Sequence, residues 1–182
     1  TTTDGIFKLN GVSYVTIDGI DLQESAGNVD PTTQMEWGYA LVKQSGTLAC
    51  QFTTIKNCTV TLNKANTAST GIYTGNHLAT SITSLTVTAF TGTASYNKFY
   101  NNTVQNSYFG YQVQGFANSA PYDLYDQFNE IGTISGGRSQ VLNFGGSTVS
   151  AYGIYGIYQN NMKIFNTNIN STGGVNSTGT LN

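Results

Sequence analysis

An all-β chain wound as a right-handed parallel β-helix, a β-solenoid of about five to six coils with inserted loops, is the fold this sequence predicts. Three observations carry the prediction. Only 9% of the 182 residues are charged, against a usual figure of about 25%. The missing charge is replaced by Thr, Ser, Asn, Gly and Tyr, which suit strands and turns and form helices poorly. A glycine followed by a short alternating run recurs along the chain, and behind each copy comes a second run bent at Gly or Asn.

The first beat reads Gly5-Ile6-Phe7-Lys8-Leu9, Gly38-Tyr39-Ala40-Leu41-Val42, Gly71-Ile72-Tyr73-Thr74, Gly110-Tyr111-Gln112-Val113 and Gly153-Ile154-Tyr155-Gly156-Ile157. The second reads Thr16-Ile17-Asp18-Gly19-Ile20-Asp21-Leu22, Thr54-Ile55-Lys56-Asn57-Cys58-Thr59-Val60, Lys98-Phe99-Tyr100-Asn101-Asn102-Thr103-Val104, Gln127-Phe128-Asn129-Glu130-Ile131 and Lys163-Ile164-Phe165-Asn166-Thr167-Asn168-Ile169. In four of these copies Gly or Asn stands two residues after the first apolar one; the copy carrying Glu130 breaks the rule. Such residues accept left-handed backbone angles at low cost, so each marks a corner between two short strands. Gly19, Asn57, Asn101 and Asn166 are therefore expected to stack as an interior or corner ladder whose amides satisfy turn backbone groups. One repeat cannot bury its own apolar face, but coils wound in one direction bury a shared core, and parallel crossovers favour the right hand.

Spacing between the glycine beats runs from 33 residues (Gly5 to Gly38) to 43 (Gly110 to Gly153), which places insertions at 23–36, 75–95, 116–124 and 135–151. An antiparallel sandwich would instead show Asn-Gly or Asp-Gly hairpin turns between matched runs, and the pair Asp18-Gly19 lies inside the repeating beat. With 38% hydrophobic residues, the whole of 1–182 reads as one domain with a substantial core. A net charge of -2 and a pI near 5.1 offer no field for a phosphate backbone, so nucleic acid is not an expected partner. No apolar run approaches a bilayer span, and no signal-peptide pattern opens at Thr1; the chain reads as a mature product or a segment of a longer protein.

The GIY-type openings, the element in IKNCTV and FYNNTV, and the runs YDQFNEIGTISGG and AYGIYGIYQNNMKIFNTNIN resemble the right-handed β-helix repeats of pectate-lyase-like proteins. More narrowly they resemble large secreted cell-surface proteins that bacteria export by the type IX pathway. The resemblance implies an extracellular bacterial module, secreted or attached to the cell surface, with a role in adhesion or surface scaffolding rather than catalysis. It also names the alternative, a polysaccharide lyase or glycoside hydrolase of the same fold. Such enzymes cluster carboxylates, either on calcium or as an acid–base pair.

Acids here are sparse. Asp123 and Asp126 form the best catalytic candidate, though neighbouring acids in a loop serve more often as solvated turn residues. Arg138 lies in a Ser-Gly-Gly turn, and no enzyme motif matches around it. His77, the sole histidine, reads as a loop residue and lacks a second ligand at metal spacing; no cofactor is expected beyond a structural calcium ion. Cys50 and Cys58 read as small core residues, with a bridge between them as the alternative. Sequons occur at Asn57, Asn101, Asn170 and Asn176, in a chain where Asn and Thr make them common.

If Ile6, Tyr39, Ile72, Tyr111 and Ile154 point inward, then Phe7, Ala40, Tyr73, Gln112 and Tyr155 form an outward stripe that Trp37 extends. Flat aromatics among amides suit sugar rings, so Phe7, Trp37, Tyr73, Gln112 and Tyr155 are candidate contacts for an extracellular glycan or surface polymer. The competing reading is a tyrosine ladder that only stabilises exposed sheet. A regular threonine array for ice is absent, since Lys98, Gln127 and Lys163 interrupt the positions opposite Thr16 and Thr54. Neither Thr1-Thr2-Thr3-Asp4 nor Ser171-Thr172-Gly173-Gly174 offers an amphipathic cap, which suggests further coils or end-to-end self-association into filaments.

Overall fold

The glycine beats lie in strands of one sheet, and in every copy but the fourth the two halves of the second beat fall into two further sheets. The computed structural model describes residues 3–30, 32–146 and 150–171. Its first sheet pairs Gly5–Asn10, Trp37–Lys43, Thr70–Leu78, Phe109–Gln114 and Ile154–Ile157, in that order and all parallel. A second aligns Thr16–Asp18, Thr54–Lys56, Lys98–Tyr100, Glu130–Ile131 and Lys163–Ile164. The third aligns Leu22–Gln23, Thr59–Thr61, Thr103–Gln105, Ser139–Leu142 and Thr167–Asn170. Every strand pairs with its counterpart in the neighbouring repeat, so the chain is all-β with three five-stranded parallel sheets, an order compatible with a parallel β-solenoid. A 3-10 turn at Phe90–Gly92 is the one helical element among the described residues.

Alternation within these short strands builds the core. Ile17, Ile55, Phe99 and Ile131 stand in register in the second sheet, and Leu22, Val60, Val104 and Val141 in the third, all buried. Each such side chain contributes about 1.5–3 kcal/mol by leaving water. The glycine of the first beat is required for close approach rather than for a special backbone angle. A Cβ at Gly38, Gly71, Gly110 or Gly153 would stand 2.3, 2.1, 2.4 or 2.4 Å from Val60, Val104, Val141 or Ile169 of the third sheet. These glycines let the first sheet close directly onto the third.

Gly19, Asn57, Asn101 and Asn166 do adopt left-handed angles, with φ of 71°, 57°, 50° and 35°. Their side of the corner faces solvent, however, and not the interior. Asn101 Nδ2 donates to Asn57 Oδ1 at 2.8 Å, and Asn57 Nδ2 donates to Asp18 Oδ1 at 2.6 Å, so an exposed amide ladder ends on a carboxylate. The bond from Asn57, followed by Lys56, holds Asp18 below the usual carboxylate range. Among the buried amides, Asn97, Asn102 and Asn129 lie at corners. Asn102 Oδ1 accepts from the Cys58 N–H while its Nδ2 donates to the Ile55 carbonyl; Asn97 and Asn129 take the N–H groups of Thr53 and Asn97. They serve the corner backbone that water cannot reach.

Two registers differ from those expected. The first strand is shifted by one, so that Phe7 stands beside Tyr39 and Lys8 beside Ala40; Gly5 pairs with Trp37 and is not the counterpart of Gly38. In the fourth repeat Glu130, not Gln127, lies opposite Lys98, and Gly132 (φ 74°) makes the turn. Phe128 belongs to an earlier corner. There Tyr14, Phe52, Tyr96 and Phe128 all take left-handed angles of 53–61°, and their rings stack at 4.8, 4.8 and 5.2 Å. A left-handed angle costs a bulky residue roughly 1–2 kcal/mol. Stacking of about 0.5–1.5 kcal/mol per ring pair offsets it.

Cys50 and Cys58 are buried and free, the first donating to the Leu9 and Val42 carbonyls, the second to Lys56. Burial pushes the Cys50 thiol up. Both are expected to resist a thiol reagent in native buffer and to react fully in denaturant; rapid native labelling would contradict their placement.

Candidate functional site

Beyond the outer face of the first sheet the expected stripe divides in two. Along the repeats its columns read Trp37, Thr70, Phe109 and then Tyr152, and Lys8, Ala40, Tyr73, Gln112 and Tyr155. Phe7 does not belong to it. Over the middle repeats Trp37 and Tyr73 stack at 4.8 Å with planes 4° apart, and His77 lies 5.5 Å from each ring. Trp37 and Tyr73 are only 5% and 7% exposed, with Ala79 packed against their cluster. Neither ring offers a free face for a sugar. His77 is part of the strand Thr70–Leu78 rather than a loop, and its Nε2 shares a 2.8 Å hydrogen bond with the Tyr73 hydroxyl. Burial lowers the imidazole pKa and raises that of the Tyr73 phenol, so both stay neutral.

Past the insertion the stripe is open. Phe109, Gln112, Gln114, Tyr152 and Tyr155, all half-buried, line a shallow groove of about 220 Å³. Gln112 and Gln114 reach it because Tyr111 and Val113, their neighbours on the strand, point into the core. Phe109 and Tyr152 stack at 5.8 Å, 13° from parallel, and Tyr155 tilts against Tyr152 at 5.1 Å. The Gln112 amide oxygen accepts from Thr70 Oγ1 at 3.4 Å. The lining carries no charged side chain. Three rings and two amides at a surface suit stacking on a sugar ring with hydrogen bonds at its rim. Gln112 and Tyr155 were legible in the sequence as members of this site; Phe109 and Tyr152, which precede the glycine beats, were not.

The two acids expected to act together are separated. Asp123 is exposed and accepts from Asn118 Nδ2 at 2.7 Å. Asp126 is fully buried, its Oδ1 accepting from the Ala94 N–H at 2.7 Å and lying 3.9 Å from Nζ of the equally buried Lys43. Burial raises the Asp126 carboxyl and lowers the Lys43 ammonium, and their mutual attraction opposes both shifts. Arg138 Nε donates to Asn166 Oδ1 at 3.4 Å, away from either acid's partners. Among the described residues no three His, Cys, Asp or Glu side chains gather as a metal site. Asn57, Asn101 and Asn170 are exposed, while Asn176 lies outside the described residues.

No family model matches the chain, and comparison with curated proteins and with solved structures finds no match.

Proposed function

We propose that this chain is a non-catalytic, extracellular module of a right-handed β-helix of the pectate-lyase-like kind, serving adhesion or surface scaffolding and binding glycan in the groove of Phe109, Tyr152 and Tyr155. The single observation that supports the reading is the open end of the outer stripe, where three rings and two amides converge on a shallow, uncharged groove. Aromatic faces beside amides are a chemistry that sugars satisfy on both counts, through C–H faces and hydroxyl rims. The resemblance to type IX cell-surface proteins supports the location.

A glycan array followed by titration of any positive oligosaccharide tests this. Tyr155→Ala is expected to weaken binding by about tenfold, near 1.4 kcal/mol, and Gln114→Ala by less. Trp37→Ala is a poor probe because that ring is buried. An array without signal, or affinity unchanged by Tyr155→Ala and Phe109→Ala, would overturn the reading.

A further inference from the structure

We propose that Lys43 and Asp126 join in an intramolecular isopeptide bond across the core. Both side chains are wholly buried, and Nζ lies 3.9 Å from Oδ1. The two residues are far apart in sequence, Lys43 at the end of Trp37–Lys43 and Asp126 ahead of Glu130–Ile131, yet each leans on the same short backbone segment. Lys43 Nζ donates to the Gly92 carbonyl, and Asp126 Oδ1 accepts from the Ala94 N–H. One acceptor and one donor, two residues apart, are the complement of a secondary amide. After closure the new N–H keeps Gly92 O and the new carbonyl keeps Ala94 N, so neither buried group loses its partner.

The step balances without any co-reactant. A proton passes from the ammonium to the carboxylate within the pair, leaving a neutral amine and a neutral acid. The Nζ lone pair then attacks Cγ, and negative charge gathers on Oδ1 where the Ala94 N–H already donates. The Cγ–Oδ2 bond breaks. Oδ2 leaves as water, carrying the carboxyl proton and one amine proton. Burial favours the neutral forms of both groups. The surrounding coils hold Nζ 3.9 Å from Oδ1 of the same carboxyl group, which converts a bimolecular condensation into an intramolecular one.

Intact-mass measurement of the purified chain under denaturing conditions, before and after prolonged incubation in native buffer, tests the proposal. A mass one water below that of the sequence is expected, with proteolysis releasing a branched peptide that carries both Lys43 and Asp126. Lys43→Arg retains the charge but is expected to show the full mass and no branched peptide. The full sequence mass in the incubated wild type would overturn the proposal, and so would a water loss that persists in Lys43→Arg. The wild-type arm does not depend on any variant folding.

Discussion

Asp126→Ala is expected to cost about 3–5 kcal/mol of folding stability, because it leaves the buried Lys43 nitrogen without its carboxyl partner, whether that pair is ionic or already joined. Lys43 is entirely buried and keeps only the Gly92 carbonyl among its described polar partners once the carboxylate is gone. Lys43→Met acts from the other side, leaving the Asp126 carboxyl group with only the Ala94 N–H and, at 3.5 Å, Gln159. The double variant Lys43→Met/Asp126→Leu removes both charges and restores apolar volume. It is expected to fall between the single variants and the wild type in urea unfolding. Equal midpoints for single and double variants would show that charge burial is not what the site resists.

Gly110→Ala is the second large effect. The added Cβ would stand 2.3 Å from the Gly153 carbonyl oxygen and 2.4 Å from Val141 Cγ1. The first sheet must then lift off the third, at a cost of about 3 kcal/mol. Adding Val141→Ala does not rescue it, because the backbone carbonyl remains. Gly19→Asn serves as the contrast. Gly19 has a left-handed φ of 71° but nothing within 4 Å of its would-be Cβ, and Asn tolerates that angle, so stability should change by less than about 0.5 kcal/mol. A thermal or urea midpoint lowered as much by Gly19→Asn as by Gly110→Ala would refute the distinction between corner and contact glycines.

That distinction also marks how far the sequence could be read. The columns through Ile17, Ile55 and Phe99 and through Val60 and Val104 were legible because apolar spacing and an Asn or Gly corner repeat together. Period-two alternation does not fix register, however, and a slip of one residue turns every side chain over. Gly5 mimics the glycine beat, and counting from it sets Phe7 on the outer face, whereas Phe7 stands beside Tyr39. In the fourth repeat Phe128 mimics the first apolar residue of the second sheet, although it belongs to the stacked aromatic corner. That corner has a sequence signal: an aromatic residue two positions before the strand at Tyr14, Phe52, Tyr96 and Phe128. It is easily passed over because left-handed aromatics are rare.

The candidate site was legible in two of its five lining residues. Alternation gave Gln112 and Tyr155 their outward direction, but nothing in the pattern says that an insertion covers Trp37 and Tyr73 and leaves the later repeats bare. Asp126 shows the same limit from the other side. A loop acid next to another acid reads as solvated or catalytic, and only the fold discloses that Lys43 meets it in the core.

Backbone nuclear Overhauser contacts test the stacked parallel arrangement most directly. Amide-to-Hα contacts should run in a single direction along Ile17, Ile55, Phe99 and Ile131, each residue seeing its counterpart one repeat away. Close Hα–Hα pairs between these strands, the mark of antiparallel neighbours, would contradict the parallel sheets and the outer groove built upon them.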